Sequence, residues 1–329
     1  MTILYLVLPA CMSALVIALA RRSSWAVRVI DRPNERSLHV APTPRLGGLG
    51  IAAGALPLVG LAGSAPLATI AVCAAFLAVV SLIDDMRSLP VEVRLPAHGA
   101  AAVVAVLAFA SPQAGIAPWG WAASALAVLA IAWMANLYNF MDGSDGLAGG
   151  MAVIGFAALG AAAAQAGSTP LALAAFATSS AAAGFLLHNF PPARVFLGDS
   201  GSIPLGFLAG AFGAWGTALE AWPAWFPILV FSPFIADASV TVLRRLLAGE
   251  RVWRAHRTHY YQRLVLAGCS PRRLAIGAYA LMAAVGASAL AALGQDPDVQ
   301  CVIIFIWAVI HVSLLIAIER RTARHRAVS

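Results

Sequence analysis

Charge is what this sequence has least of. Charged residues make up 11% of the 329-residue chain, whereas a soluble domain carries about 25%. Lysine is absent, so all 21 basic residues are arginine. Hydrophobic residues make up 61% of the chain, in runs that are too long for strands and lack strand-like alternation. The sequence therefore predicts an all-α polytopic membrane protein, with residues 1–329 forming a single integral-membrane domain.

Cysteine is also scarce, and basic residues are missing before the first apolar run. The four cysteines include no CxxC pair, so we expect neither a disulfide framework nor a thiolate metal site. Arg21 and Arg22 follow the first apolar run, where a signal peptide would have a small-residue cleavage site. We therefore interpret residues 2–20 as the first membrane span.

Long apolar runs occupy most of the chain. A bilayer-spanning helix needs about 20 mostly apolar residues. The runs predict about eleven spans, at 2–20, 47–63, 66–83, 96–111, 119–137, 148–165, 169–187, 201–218, 222–243, 273–292 and 300–318.

The arginines fall in alternate connections between these spans. Because basic loops stay on the cytoplasmic side, we predict an outside N-terminus and a cytoplasmic C-terminus. The predicted cytoplasmic loops are 21–46, 84–95, 138–147, 188–200 and 244–272. The net charge of +7 then reflects topology and contact with anionic lipids, so we do not expect nucleic-acid binding.

The third predicted span ends in SLIDDM, which places two carboxylates at the membrane edge. Asp84 and Asp85 lie at a helix C-terminus, whose partial negative charge disfavours them, and adjacent carboxylates repel each other. A solvated membrane-edge pair, a pair with a compensating cation and a pair with a chemical role all fit these residues.

Two further aspartate motifs precede predicted spans. In NLYNFMDGSDGLAGG, Asn139, Asp142 and Asp145 lie among glycines that let a ligand approach the backbone. In FLGDSGS, Asp199 lies where a helix N-terminus can bind phosphate. Turn formation and helix capping are the ordinary alternatives for these aspartates. Neither motif matches an EF-hand or a Walker A loop.

A fourth motif, RAHRTHYYQRL, lies in the last predicted cytoplasmic loop. Its HxxH pair, His256 and His259, can ligate zinc, but no third carboxylate ligand or HExxH glutamate accompanies it. Arginine and histidine also suit a diphosphate, and a loop that simply faces lipid is the plain alternative.

Together these motifs place aspartates, histidines and arginines on one membrane face. Carboxylates hold a hard cation such as Mg²⁺, which bridges to substrate phosphates and neutralises charge as phosphoryl groups transfer. We therefore predict Mg²⁺-dependent transfer from a diphosphate, with a second substrate arriving through the lipid.

In this order the motifs resemble the polyprenyl-phosphate N-acetylhexosamine-1-phosphate transferases, glycosyltransferase family 4. The resemblance covers nearly the whole chain and rests on PTPRLGG, the DD pair, NxxNFMDGSDGL, HNFPPARVFLGDSGS, PFIAD and the histidine loop. DRPNERSLHVAPTPR and HRTHYYQRL look most like the branch that starts O-antigen synthesis. The resemblance implies transfer of N-acetylhexosamine 1-phosphate from a UDP-sugar to undecaprenyl phosphate in the bacterial inner membrane, with release of UMP.

The resemblance also implies roles for individual residues. Asp84 and Asp85 match paired aspartates, one of which deprotonates or orients the lipid phosphate. Asp199 matches a metal-binding aspartate, and Asp142 and Asp145 match positions that line the nucleotide pocket and metal region. Asp84, Asp85, Asp142 and Asp199 are thus the expected catalytic residues, with Asp142 and Asp199 on Mg²⁺, for which Mn²⁺ is an alternative.

The remaining implied residues bind substrate. Asn189 and Phe196 match uridine contacts, with the Phe196 ring stacked on uracil. The other expected substrate-binding residues are Thr43, Gly47, Gly48, Asn139, Asp145, His256, Arg257 and His259. Relatives often carry HxHH or HHH where this chain has HRTHYY, so Arg257 is expected to share the phosphate role.

Two alternatives compete with a transferase. A transporter or flippase of a lipid-linked sugar needs polar residues deep in several spans, whereas the acidic residues here lie mainly at span ends, with Asp237 the main exception. A structural membrane scaffold is the second alternative. The sequence leaves open the N-acetylated sugar, the aspartate that acts as base, and whether the protein is a homodimer.

Overall fold

A computed structural model describes residues 2–33, 38, 41–109, 120–251 and 256–328. Arg254 and Ala255 of the histidine motif lie outside the described residues. Within them the helices are α1 (Thr2–Arg22), α2 (Trp25–Arg28), α3 (Gly47–Gly60), α4 (Ala65–Arg87), α5 (Val91–Ala108), α6 (Trp121–Phe140), α7 (Leu147–Gln165), α8 (Thr169–Asn189), α9 (Asp199–Ala218), α10 (Trp225–Val230), α11 (Ser232–Leu247), α12 (Tyr260–Leu266), α13 (Pro271–Ala292) and α14 (Pro297–Val328). Strands β1 (Ile30–Asp31) and β2 (Thr43–Pro44) pair antiparallel, with Ile30 opposite Pro44 and Asp31 opposite Thr43.

Eight of these helices have the length and apolar composition to cross a membrane, namely α1, α4, α5, α6, α7, α8, α13 and α14. The prediction of an all-α multi-pass membrane protein is therefore confirmed. The other three predicted spans correspond to α3, which has 14 residues, to α9, and to the pair α10 and α11. The number eleven and the orientation stay predictions.

The ninth predicted span is broken. α10 ends at Val230 and α11 begins at Ser232, whereas the sequence pattern predicts one helix over 222–243. Pro233 has no backbone N–H and therefore cannot donate to the carbonyl four residues earlier. It occupies the first turn of α11, where that donor is not needed.

The centre of the bundle is built from small residues. α8 packs against α1, α3 and α7, and α9 packs against α4 and α6. Alanine, glycine and serine dominate the buried faces of α7 and α8, and such residues let helix backbones approach closely in a membrane. This tight bundle fixes the ends of α4, α6 and α9 relative to each other.

A serine in α8 hydrogen-bonds to backbone groups of α1 near Pro9. Pro9 interrupts the hydrogen bonding of α1. Ser180 Oγ accepts from the Ala10 N–H over 3.1 Å and donates to the Leu6 carbonyl over 2.6 Å. The two backbone groups are thereby satisfied within the apolar core, as a membrane-embedded helix requires.

Candidate active site

The candidate site is assembled from segments that are far apart in the sequence. Arg45, just after β2, forms a parallel β-bridge with Phe196, which precedes α9. The backbone N–H groups of Gly47 and Gly48 donate to the carbonyls of Phe196 and Leu197, each over 2.9 Å. These bonds hold the first loop against the FLGDSGS motif.

Gly47 and Gly48 allow this close approach. A Cβ at Gly48 would clash with the backbone nitrogen of Gly201, and a Cβ at Gly47 would lie 2.9 Å from the Leu197 Cα. Such contacts with backbone require glycine. Both glycines therefore have a packing role. Their expected contact with the nucleotide, and that of the buried Thr43, stay predictions.

Asp85 ties the first loop to α9. Its side chain is 0% exposed, and its Oδ1 accepts from Arg45 Nη1 over 3.2 Å and from the Asp199 N–H over 3.4 Å. Its Oδ2 accepts from the Ser200 N–H over 3.2 Å. Asp85 thus shares Arg45 with Asp31, whose Oδ1 lies 2.8 Å from Arg45 Nη2. It also caps the positive end of α9, which places the backbone of Asp199.

Asp84 faces the other way from the same helix. Its Oδ2 accepts from Arg94 Nη1 over 2.9 Å, and its Oδ1 accepts from the Leu89 N–H over 2.6 Å. α4 ends at a left-handed Ser88 with φ of 51°, whose N–H donates to the Asp84 carbonyl over 2.8 Å. This sharp end turns the chain back and brings Arg94 onto Asp84. The compensating cation that the sequence suggests for this aspartate is therefore an arginine.

Asp199 is held by an amide from α6. Asn139 Nδ2 donates to Asp199 Oδ1 over 2.8 Å and to Ser202 Oγ over 3.0 Å. Arg94 Nη1 lies 3.9 Å from Asp199 Oδ2. Burial, and next the nearby Asp85 carboxylate, raise the pKa of Asp199 to about 6. Burial is the larger cause of this shift, and the neighbouring carboxylates add to it.

Asp142 contributes a second carboxylate to this environment. Among the described residues no donor reaches its side chain, which is partly exposed to the cavity described next. Burial, followed by the Asp199 carboxylate, raises the pKa of Asp142 well above its usual range. Two carboxylates that share a cavity repel each other unless a cation neutralises them.

Asp145 and Asn189 instead connect two loops. Asp145 Oδ2 accepts from the Ala193 N–H over 2.9 Å. Asn189 Oδ1 accepts from the Gly146 N–H over 2.8 Å, and its Nδ2 donates to the Val195 carbonyl over 2.9 Å. These bonds lock the turn that carries Asp142 to the segment that leads into α9.

A cavity of about 530 Å³ lies where these segments meet. The predicted site residues that line it are Asp84, Asn139, Asp142, Asp199, His256 and His259. The predicted site residues that do not line it are Thr43, Gly47, Gly48, Asp85, Asp145, Asn189, Phe196 and Arg257. The structure thus brings three of the four expected catalytic aspartates to one cavity and places Asp85 behind it.

Arg94 and His98 also line the cavity, although the sequence does not mark them as site residues. Asn136, which the sequence places near the same membrane face as Asn139, adds a further polar group to the lining. Asn136 is visible in the sequence as an amide three residues before Asn139, and Arg94 follows the DD pair in the same predicted loop. The lining also includes apolar side chains, among them Trp133. The cavity therefore combines polar and charged groups with apolar surface.

The histidine loop is anchored by Asp237, the acidic residue that the sequence places within a span. Its Oδ1 and Oδ2 accept from the backbone N–H groups of Tyr260 and Tyr261, each over 2.9 Å. His259 Nδ1 lies 3.3 Å from Asp237 Oδ1. Thr241 Oγ1 also donates to that oxygen over 3.3 Å. Asp237 therefore caps α12 and places His259 in the cavity wall.

The two histidines lie against each other. The rings of His256 and His259 are stacked with their centroids 4.8 Å apart, and the His259 ring also stacks on Phe140 at 5.9 Å. Burial, and next His259 and Arg245, lower the pKa of His256 to about 4. His256 is therefore neutral at pH 7 and offers a hydrogen bond rather than a positive charge.

The histidine loop also touches the aspartate turn directly. Tyr261 donates its hydroxyl hydrogen to the Phe140 carbonyl over 2.9 Å. A Cβ on Gly143 would clash with the same hydroxyl oxygen. Glycine at 143 therefore lets α12 approach the turn that carries Asp142.

These residues fit a divalent cation that is bound together with its substrate. Within the described ranges, no three histidine, cysteine or acidic side chains cluster closely enough to form a metal site on their own. Asp142 and Asp199 supply two carboxylates to the same cavity. Mg²⁺ is commonly held by one or two carboxylates, substrate phosphates and water, and this donor set matches that pattern.

The fold and the site define a multi-pass membrane protein with a carboxylate- and arginine-lined cavity suited to phosphate chemistry. A model of Glycosyl transferase family 4 matches residues 67–216. The chain is 30% identical over 331 positions to the decaprenyl-phosphate N-acetylglucosaminephosphotransferase of Mycobacterium tuberculosis, covering 88% of this chain and 82% of that protein.

Two other relatives agree with this match. A probable undecaprenyl-phosphate N-acetylglucosaminyl 1-phosphate transferase of Bacillus subtilis is 28% identical over 271 positions, with 78% of this chain and 75% of that protein covered. The undecaprenyl-phosphate alpha-N-acetylglucosaminyl 1-phosphate transferase of Escherichia coli K12 is 27% identical over 304 positions, with 83% and 80% covered. The chain belongs to glycosyl transferase family 4, the polyprenyl-phosphate hexosamine-phosphate transferases.

Proposed function

We propose that this protein transfers N-acetylhexosamine 1-phosphate from a UDP-sugar to undecaprenyl phosphate in the bacterial inner membrane, as the first membrane step of O-antigen or related envelope polysaccharide synthesis. The observation that carries the proposal is the convergence of Asp84, Asp142 and Asp199 with Arg94 in one cavity whose lining also includes apolar side chains. A nucleotide diphosphate fits the polar and charged groups, and a polyprenyl carrier fits the apolar side chains.

Asp142 and Asp199 would hold Mg²⁺, which when bound offsets the charge of the donor diphosphate. Asn139 orients the Asp199 carboxylate through its 2.8 Å hydrogen bond. His256 and His259 lie on the wall formed by the histidine loop, where a neutral His256 donates a hydrogen bond to a phosphate or sugar oxygen. The expected contact of Phe196 with uracil belongs to the same proposal.

In the reaction an oxygen of the acceptor phosphate attacks the phosphorus that carries the sugar. The new P–O bond forms as the bond to the bridging oxygen breaks, and UMP leaves with that electron pair. A phosphate monoester has its second pKa near about 6, so the acceptor is largely a dianion at pH 7. Arg94 therefore binds the acceptor phosphate. Asp84 holds Arg94 in position through their 2.9 Å ion pair.

The isoprenoid chain is expected to leave the cavity between α5, α6 and α11. Leu95, Trp133 and Val242 supply apolar lining from these three helices. The same route would let a membrane-dissolved acceptor reach Arg94 without leaving the bilayer.

The test is UMP release by the purified full-length protein from labelled UDP-sugar, undecaprenyl phosphate and Mg²⁺. A panel of UDP-N-acetylglucosamine and related UDP-N-acetylhexosamines identifies the sugar. Activity is expected to vanish on chelation and to return with excess Mg²⁺. The activity with Mn²⁺ is measured for comparison. Asp298→Asn, an exposed aspartate in the first turn of α14, is the matched control for Asp199→Asn.

Failure of the wild-type protein to release UMP with every UDP-sugar would count against the transferase. Transport of a lipid-linked sugar by proteoliposomes would then favour the transporter alternative. The intramembrane acid that such a transporter would need, Asp237, is instead engaged by backbone N–H groups of α12.

A further inference from the structure

A second cavity, of about 400 Å³, lies between α11, α13 and α14. Its volume falls within the range of about 300–1,000 Å³ that is typical of ligand sites. The lining is mainly apolar, with Phe234 from α11, Leu281 from α13 and Leu315 from α14. Tyr261 lines this cavity and the candidate active site, so α12 forms a wall between them. We call this second cavity the α14 cleft.

Two arginines line the α14 cleft. Arg273 is in the first turn of α13, and Arg321 is near the end of α14, and both are exposed. Among the described residues, neither guanidinium has an ion-pair or hydrogen-bond partner. Asp237 is the acidic residue of the lining, and its oxygens already accept backbone N–H groups. The net charge offered to a ligand is therefore positive.

We propose that the α14 cleft binds an anionic phospholipid, with an acyl chain among the apolar side chains and the phosphate at Arg273 and Arg321. Basic pockets between membrane helices on one face bind the head groups of anionic lipids, and the two arginines complement a phosphate diester. The aspartates expected to act on the nucleotide diphosphate, Asp142 and Asp199, line the other cavity, so the cleft has no metal-dependent chemistry to perform.

One glycine gives direct access to the apolar part of the cleft. Gly277 of α13 lines it, and a Cβ there would meet no atom within 4 Å. Gly277→Leu should therefore fill the cleft without disturbing backbone, and leucine also has a higher helix propensity than glycine. Gly99 of α5 is likewise open around its Cβ and does not line the cleft, which makes Gly99→Leu the matched control.

The experiment is native mass spectrometry of the full-length protein in detergent, titrated with phosphatidylglycerol or phosphatidylcholine. The wild type is expected to retain phosphatidylglycerol preferentially. Arg273→Gln with Arg321→Gln should weaken that binding about 30-fold. The double variant Arg272→Gln with Arg320→Gln removes the same charge from neighbouring positions outside the cleft. It should keep the affinity for phosphatidylglycerol within about threefold of the wild-type value.

The acyl-chain half of the proposal is tested separately. Gly277→Leu should displace both phospholipids while Gly99→Leu retains them. Equal losses in the two double-arginine variants would overturn the proposal, because binding would then follow surface charge alone. Preferential displacement of phosphatidylglycerol by undecaprenyl phosphate would also overturn it and assign the cleft to the carrier lipid. These readouts need no turnover, so they stand or fall independently of the proposed transferase activity.

Discussion

Removal of the Asp237 carboxylate should release the histidine loop from the candidate site. The carboxylate accepts two 2.9 Å hydrogen bonds from the N-terminus of α12, which carries the chain directly after His259. A hydrogen bond to a charged group contributes about 1.5–3 kcal/mol. Asp237→Ala therefore removes about 3–6 kcal/mol from the docking of α12, and Asp237→Asn, which keeps one acceptor oxygen, removes about half as much.

A loss of about 1.5–3 kcal/mol corresponds to roughly 10- to 150-fold in the ratio of docked to undocked loop. We therefore expect Asp237→Asn to lower kcat/KM for the UDP-sugar by about 10- to 100-fold, and Asp237→Ala to lower it further. Amide hydrogen exchange should rise at Tyr260 and Tyr261, whereas exchange in α7 and α8 should stay at the wild-type level.

Thr241→Val is the matched control. It removes the longer 3.3 Å hydrogen bond to Asp237 Oδ1 and leaves both backbone bonds in place, so kcat/KM should change by less than about threefold. Asp237→Glu should recover part of the activity that Asp237→Ala loses, because it retains both acceptor oxygens. The reasoning is refuted if Asp237→Asn turns over normally, or if exchange rises equally throughout the bundle.

Four other predictions concern the candidate site. Asp199→Asn should lower Mg²⁺-dependent turnover by at least about 100-fold, with membrane insertion judged by gel filtration and circular dichroism; normal turnover would refute its metal role. Asp85→Asn should retain UDP-sugar binding by calorimetry and lose most turnover, because the amide has no charge to pair with Arg45 and only one oxygen to accept from the N-terminus of α9; full activity would contradict this. Arg94→Gln should raise KM for undecaprenyl phosphate at least about 10-fold and leave KM for the UDP-sugar within about threefold; equal shifts would contradict acceptor binding. Gly48→Ala should lower the unfolding free energy by about 1–3 kcal/mol, whereas Ala at the open position Gly99 should not, as thermal denaturation in detergent would reveal.

The sequence could predict that the aspartates of the candidate site lie on one face, because alternate loops of a multi-pass protein emerge on the same side of the membrane. Loops that alternate with membrane spans emerge on one face, so Asp84, Asp142 and Asp199 share a side of the membrane before any packing is known. The packing of the helices then decides whether they meet. The structure places these three in one cavity.

The separate roles of Asp84 and Asp85 could not be predicted. Adjacent residues on a helix point about 100° apart, so one carboxylate faces the cavity and the other faces the first loop and α9. Which one does so depends on the rotation of α4, which its tertiary contacts determine. Their arginine partners lie 10 and 40 residues away in the sequence, beyond the reach of any local pattern.

Asp237 could not be interpreted from its local sequence for a similar reason. As an acid within an apolar span it suggests transport. Its hydrogen-bond partners are backbone N–H groups 23 and 24 residues later, and backbone groups leave no signature in the sequence. The break between α10 and α11 was equally hidden, because Pro233 at a helix start and Pro233 within a kinked helix have the same local pattern.

The contact between Gly143 and Tyr261 has a consequence for the choice of donor. Glycine at 143 permits direct contact between the turn that carries Asp142 and the start of α12, which follows His259, and both segments form walls of the cavity. Any larger residue would act as a wedge there and would move the walls apart. Position 143 is therefore a place at which a single alanine or serine could admit bulkier hexosamines without alteration of any group that handles phosphate.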